Sequence, residues 1–191
     1  MGGCRKITEK ALRDWKKERK MKKKTACGGT IVVPRKAQEH LRAHPEVQKI
    51  LAEAVGKVSL PRNGEFLAVE VEMGRVVGLS GCVKAPRVEI DDLAFFAQRI
   101  ERKTPSRVVV SEGEPTTKVV VLAFASREDK RTYILVTSWV GSLAPKEPWD
   151  RNIRNNEEFR ESLDFWSSHA LVHDPAVMGE VFENSWGEIL G

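Results

Sequence analysis

The sequence predicts an α+β fold: N-terminal helices, then a twisted antiparallel sheet, closed by C-terminal helices. Three observations predict it. Apolar residues recur at helical spacing between Pro34 and Gly56, and the period then drops to two from Glu65 and again from Lys118. Helical spacing returns at Phe159, Leu163, Trp166 and Ala170.

At the front of the chain, Ile7, Ala11, Leu12 and Trp15 lie on one helical stripe, with Lys and Arg around the rest of the circumference. Residues 1–24 are therefore expected as a basic amphipathic helical extension. The small residues of Thr25–Thr30 place the expected boundary there, with residues 25–191 as a single α+β globular domain.

Pro34 suits a first helical turn, with Ala37 and Leu41 following at helical spacing. Pro45 opens a second helix with Val47, Ile50, Leu51 and Ala54 on one face and Gly56 at the position of a C-terminal cap. Leu67, Val69, Val71 and Met73 alternate with Ala68, Glu70 and Glu72, and after Gly74–Arg75 the apolar Val76–Leu79 completes an expected β-hairpin.

Asp91–Arg102 fits two patterns: a helix through Leu93, Phe96, Ala97 and Ile100, and a strand through Leu93, Phe95 and Ala97. Lys118–Ala125 and Thr132–Val140, rich in β-branched and aromatic residues and joined by Ser126–Arg131, are the clearest strands and the expected centre of the sheet. A helix over Phe159–Ala170 is followed by another begun at Asp174–Pro175, with Val181, Phe182 and Ile189 inside.

Composition narrows the function classes. A chain of 191 residues, 41% hydrophobic and 31% charged, is that of a folded domain of ordinary size. Its longest apolar runs, Val119–Ala125 and Tyr133–Val136, are far short of the roughly 18–20 residues that span a membrane. No apolar stretch typical of a secretory signal interrupts the charges between Arg5 and Lys24, so no membrane span and a cytoplasmic location are expected. Cys4, Cys27 and Cys82 are odd in number and widely spaced, which fits neither a disulfide framework nor a CxxC metal site; a buried Cys82 is expected.

The net charge of +5 conceals an asymmetry. Residues 1–24 carry eleven Lys or Arg against three acidic residues, a net of +8, and residues 157–191 carry eight acidic residues against Arg160, a net of −7. Such a basic front attracts RNA phosphates, an anionic surface or an acidic protein partner through one sequence-independent field.

No phosphate-binding GxxxxGK[ST], GxGxxG or GxSxG motif occurs, and no cofactor is expected. His169 and His173 stand four apart, followed by Asp174, a spacing that shares a helical face, but without a third ligand no metal site is expected. His169 reads either as a proton-transfer group or as a ring packed beside Trp166. Thr137 shares a strand face with Leu135 and Trp139, and Ser138 the opposite face with Val136 and Val140, so one hydroxyl faces each side. Lys118, with Arg99, Arg102, Lys103 and Arg107 upstream, forms a set of cations suited to phosphate oxygens.

The run VVVLAFASREDKRTYILVTSWVGSLAPKEPWD at Val119–Asp150, followed by FWSSHAL at Phe165–Leu171, resembles prokaryotic toxin-like ribonucleases of the barnase, EndoU, colicin and RelE-like group, over the C-terminal half of the chain. That resemblance implies helices preceding a twisted sheet, and metal-independent cleavage in which a ribose 2′-hydroxyl attacks the adjacent phosphate. It assigns His169 to proton transfer, Lys118 and Arg107 to phosphate charge, and Thr137 or Ser138 to donation of a hydrogen bond to substrate. Arg13, Lys16, Lys17, Lys20, Arg99, Arg102 and Lys103 are the expected nucleic-acid contacts. The sequence thus reads as a metal-independent RNA-cleaving or RNA-binding domain, an endoribonuclease if it is an enzyme; the rival is a non-enzymatic interaction module with a basic docking helix.

Overall fold

Met21–Lys24, the end of the expected basic helix, is a strand (β1) pairing antiparallel with β2 (Thr30–Val33) through Met21↔Val33 to Lys24↔Thr30. Thr25–Gly29 is the tight turn between them: Thr25 N–H donates to the Gly29 carbonyl, Gly28 N–H to that of Thr25, and Gly28 takes φ 79°, conformational space open to glycine. The structure is a computed structural model that describes residues 21–59, 66–100, 104–126, 129 and 131–191. Residues 1–20, with Arg13, Lys16, Lys17 and Lys20, lie outside the described residues, as do Arg102 and Lys103.

The remaining elements are α1 (Arg35–Ala43), α2 (Pro45–Lys57), β3 (Phe66–Glu72), β4 (Gly78–Ser80), β5 (Cys82–Lys84), β6 (Leu93–Arg99), β7 (Pro105–Val109), β8 (Glu114–Thr116), β9 (Lys118–Ala125), β10 (Thr132–Val140), α3 (Asn156–Ser167), β11 (His169–Val172), β12 (Met178–Ser185) and α4 (Trp186–Leu190). The expected α+β class is corrected by this inventory: the fold is mainly β, with 41% strand and 24% helix in three sheets and four short helices among the described residues. Two compact units emerge, one containing the chain through Val71 together with Val121–Ser138, the other Glu72–Val120 with Trp139–Gly191.

In the first unit the sheet order is β1-β2-β10-β9-β3, so the strands expected at the centre are there. β10 runs parallel to β2 from Thr132↔Thr30. The turn joining β9 to β10 is held by Asp129, whose carboxylate accepts from Thr132 Oγ1 at 2.7 Å and Arg131 N–H at 2.9 Å, bonds that hold its pKa below the usual carboxylate value. One face of this sheet is buried through Ile31, Val33, Leu67, Val71, Val121, Ala123, Tyr133 and Leu135. The helices bury Ala37, Leu41, Val47, Leu51, Ala54 and Val55. Gly56, expected as a cap, lies inside α2, which ends at Lys57.

The hairpin expected over Glu65–Leu79 does not form: β3 neighbours β9, and β4 pairs with β8. Period-two alternation identifies a strand but carries no information about its partner.

In the second unit the sheet order is β12-β6-β7-β11-β5, with β11 parallel to β7 and antiparallel to β5. The segment with two fits is the strand β6, whose buried positions Ala94 and Phe96 alternate with the exposed Leu93 and Phe95. The helix expected from Asp174 is instead β12, paired with β6, followed by the five-residue α4. Local helical spacing loses there to cross-strand pairing, and Gly179 lowers helix preference further. The core is aromatic: Phe96 lies edge-on to Trp186 at 5.4 Å and to Trp149 at 5.7 Å, and the two indoles stack at 5.3 Å.

Candidate nucleic-acid interface

His169 stands just past the C-terminus of α3, where a helix leaves its last carbonyls without intrahelical partners. Here they are partnered. Asp164 O accepts from Ser167 Oγ at 2.8 Å, and Phe165 O accepts from Ser168 N–H at 3.1 Å, Ser168 Oγ at 3.1 Å and His169 Nδ1 at 2.9 Å. Trp166 O and Ser167 O accept from Arg107 Nη1 at 3.0 and 2.9 Å. The same guanidinium donates to His169 O at 3.1 Å and, through Nη2, to Pro86 O at 2.6 Å.

Arg107 is thus a buried cation on four backbone carbonyls, 5% exposed, in the second strand of a β6–β7 pair where it stands opposite Phe96. Burial lowers its pKa below the ordinary arginine value. Its donors satisfy the helix end and favour the negative pole of the helix dipole. The side chain expected to meet phosphate therefore closes the fold instead.

His169 opens β11 rather than sharing a helical face with His173. A carbonyl can only accept, so Nδ1 carries the proton toward Phe165 O, while the ring stacks on Phe165 at 4.0 Å and 6°. His173 lies beyond β11 and is bonded through Nε2 to Gly179 O at 2.9 Å. No group of three or more His, Cys, Asp or Glu able to hold a metal occurs among the described residues.

Lys118, the first residue of β9, lies beside Glu72, whose carboxylate accepts from Gly74 N–H and Thr117 Oγ1, each at 2.9 Å. Those bonds, and then the Lys118 charge, lower the Glu72 pKa. Arg99 donates from Nε to Ser106 Oγ at 3.0 Å and pairs with Glu147 at 3.8 Å. Lys118, Arg107 and His169 belong to the second unit; Thr137, half-buried, and Ser138, 1% exposed, belong to the first. Arg107 and His169 meet through a main-chain carbonyl, as parts of one helix cap.

No family model, curated protein or solved structure matches the chain.

A second constellation lies within the first unit. Opposite the buried face of its sheet, alternation places Lys22 and Lys24 on β1, Thr30 and Val32 on β2, Thr132, Ile134 and Val136 on β10, Leu122 and Phe124 on β9, and Phe66 and Ala68 on β3. Val32 and Ser138 on this face are covered, and Leu122 and Ile134 half-buried, but Phe66 is 56% exposed, Phe124 43% and Val136 47%. Lys22, Lys24 and Arg131 are exposed, and Lys24, Thr30 and Thr132 stand level across three strands, one residue from Arg131.

Sequence reading missed this face because it placed Lys22 and Lys24 in a helix and took Phe124 as part of a continuous apolar run. The one available signal was Phe66 in even phase with the polar Glu70 and Glu72, opposite Leu67 and Val71.

Proposed function

We propose that the protein binds RNA without cleaving it, taking the strand on the open face of the first unit's sheet. The observation that carries this reading is the combination on one surface of exposed cations, Lys22, Lys24 and Arg131, with exposed aromatic rings, Phe66 and Phe124. Cations bind phosphates irrespective of sequence, and rings offer stacking surfaces to bases. Residues 1–20 are also basic in composition, which raises the general attraction of the chain for RNA.

Cleavage of the toxin-like type requires a base, an acid and phosphate-directed cations around one reacting phosphate. Of the groups assigned to it, Arg107 is engaged by four carbonyls, His169 donates to a helix carbonyl, and Ser138 is buried. Their arrangement favours binding over catalysis.

Anisotropy titrations of a fluorescein-labelled 20-nucleotide RNA, at several salt concentrations in EDTA, test the proposal. Expected are salt-sensitive binding, intact RNA on a denaturing gel, and a loss of about tenfold or more in affinity for the double variant Lys22→Glu/Lys24→Glu, with a shallower salt slope. Absence of binding at low salt, or cleavage that His169→Ala abolishes, would overturn it.

A further inference from the structure

We infer that the RNA class bound is single-stranded, with unpaired bases stacked on Phe66 and Phe124 at one side of the sheet and phosphates held by Lys22 and Lys24 at the other; this rests on the RNA-binding reading above.

The two rings are level with each other. Met73 N–H donates to Thr117 O at 2.8 Å, and Thr117 Oγ1 donates to Glu72, which fixes where β3 and β9 meet. From that junction β3 runs back to Phe66, seven residues before Met73, and β9 runs forward to Phe124, seven residues after Thr117. The strands are neighbours in the sheet and their buried sets, Leu67 and Val71 on one, Val121 and Ala123 on the other, face the core. Phe66 and Phe124 therefore emerge side by side on the open face, at the spacing of cross-strand neighbours, roughly 5 Å between Cβ atoms.

Each ring forgoes much of the burial that stabilises a phenyl group elsewhere in a fold, since Phe66 is 56% and Phe124 43% exposed. A base in a duplex is already stacked on both faces and exposes only its edges, whereas an unpaired base can lie flat on a ring. The ring pair thus selects for strands with accessible base faces. It tolerates any base, because each has a π-face and the rings offer no hydrogen bond.

The footprint follows from sheet geometry. β1 and β3 are the two edges of a five-stranded sheet, separated by four inter-strand steps, or about 19 Å at the usual spacing. A strand reaching from the rings to the lysines crosses the sheet perpendicular to its strands and passes Ile134 and Val32, the cross-strand partner of Lys22. This length matches the short end of known single-strand sites, about four nucleotides.

The test compares a fluorescein-labelled ten-nucleotide oligocytidine with a blunt twelve-base-pair RNA duplex, on wild type, Phe66→Ala, Phe124→Ala and Phe124→Trp. Both positions are exposed, and circular dichroism checks that the variants remain folded. Expected are preference for the single strand, a loss of about tenfold per alanine for the single strand but not the duplex, and retained affinity in Phe124→Trp with quenching of its added fluorescence on binding. Affinity should also reach its plateau at about four to five nucleotides in a length series. Equal binding of duplex and single strand, or alanine variants that bind as wild type does, overturns the inference while leaving RNA binding intact. A wild-type protein that binds neither RNA overturns both.

Discussion

The two units use similar side chains in opposite ways. In the second unit the groups that look reactive in sequence, Arg107, Ser167, Ser168 and His169, are turned onto backbone carbonyls and complete a helix end. In the first unit, cations and rings that look unremarkable in sequence, Lys22, Lys24, Phe66 and Phe124, stand in water on a sheet face. The contrast teaches that a titratable or cationic residue signals function only after its hydrogen-bond partners are known, because orphan main-chain groups compete for the same donors.

The contrast can be broken most forcefully at Arg107. Arg107→Ala leaves several buried carbonyls without a donor and is expected to cost about 3 kcal/mol or more in urea unfolding, with no change in RNA affinity of the folded protein. A substitution that costs RNA affinity but not stability would move the binding function to this residue.

Cys82 sharpens the same point by reactivity. Burial, then the charges of Glu114 and Glu147, push its thiol pKa up to about 11 from 9.0, while Cys27 is exposed. Two pKa units correspond to about a hundredfold less thiolate near pH 8. Cys82 should therefore react with iodoacetamide far more slowly than Cys27 in the folded protein, as peptide mass spectrometry would reveal. The folded pKa is raised, so this contribution to stability is complete below pH 9.0 and is lost as pH climbs through about 11. Urea midpoints that stay level over that window in wild type but not in Cys82→Ala would contradict this.

Smaller effects belong to the ends of α3. Asn155 caps its N-terminus by accepting from Glu158 N–H at 2.8 Å, and Asn155→Ala should cost about 1 kcal/mol. His169→Ala removes one hydrogen bond at the other end and should cost about 0.5–1.5 kcal/mol, with RNA neither bound less tightly nor cleaved less. Thermal unfolding scans beside a binding titration check both.

Much of the local structure was legible in the sequence, and much of the pairing was not. Proline marked α1 and α2, and β-branched runs marked β9 and β10, because those signals act within a few residues. β6 and β12 were hidden because Leu93–Ile100 and Val181–Ile189 carry apolar spacings that fit a helix, and only cross-strand registers such as Phe96↔Phe182 decide between the two. The FWSSH run, read in the sequence as part of a ribonuclease-like stretch, stands at a helix end whose carbonyls its own side chains help to bond. Its role depended on Arg107, some sixty residues upstream, which no local pattern links to it.

RNA is proposed to meet the first unit's sheet face and not the helix end around His169. Amide chemical-shift mapping of the isotope-labelled protein with oligocytidine tests this directly. Perturbations are expected to cluster at Met21–Lys24, Phe66, Phe124 and Arg131–Val136, with Ser167–Leu171 and Lys84, the cross-strand partner of His169, unmoved. Shifts concentrated at Ser167–Leu171 and Lys84, with the sheet face silent, would contradict it.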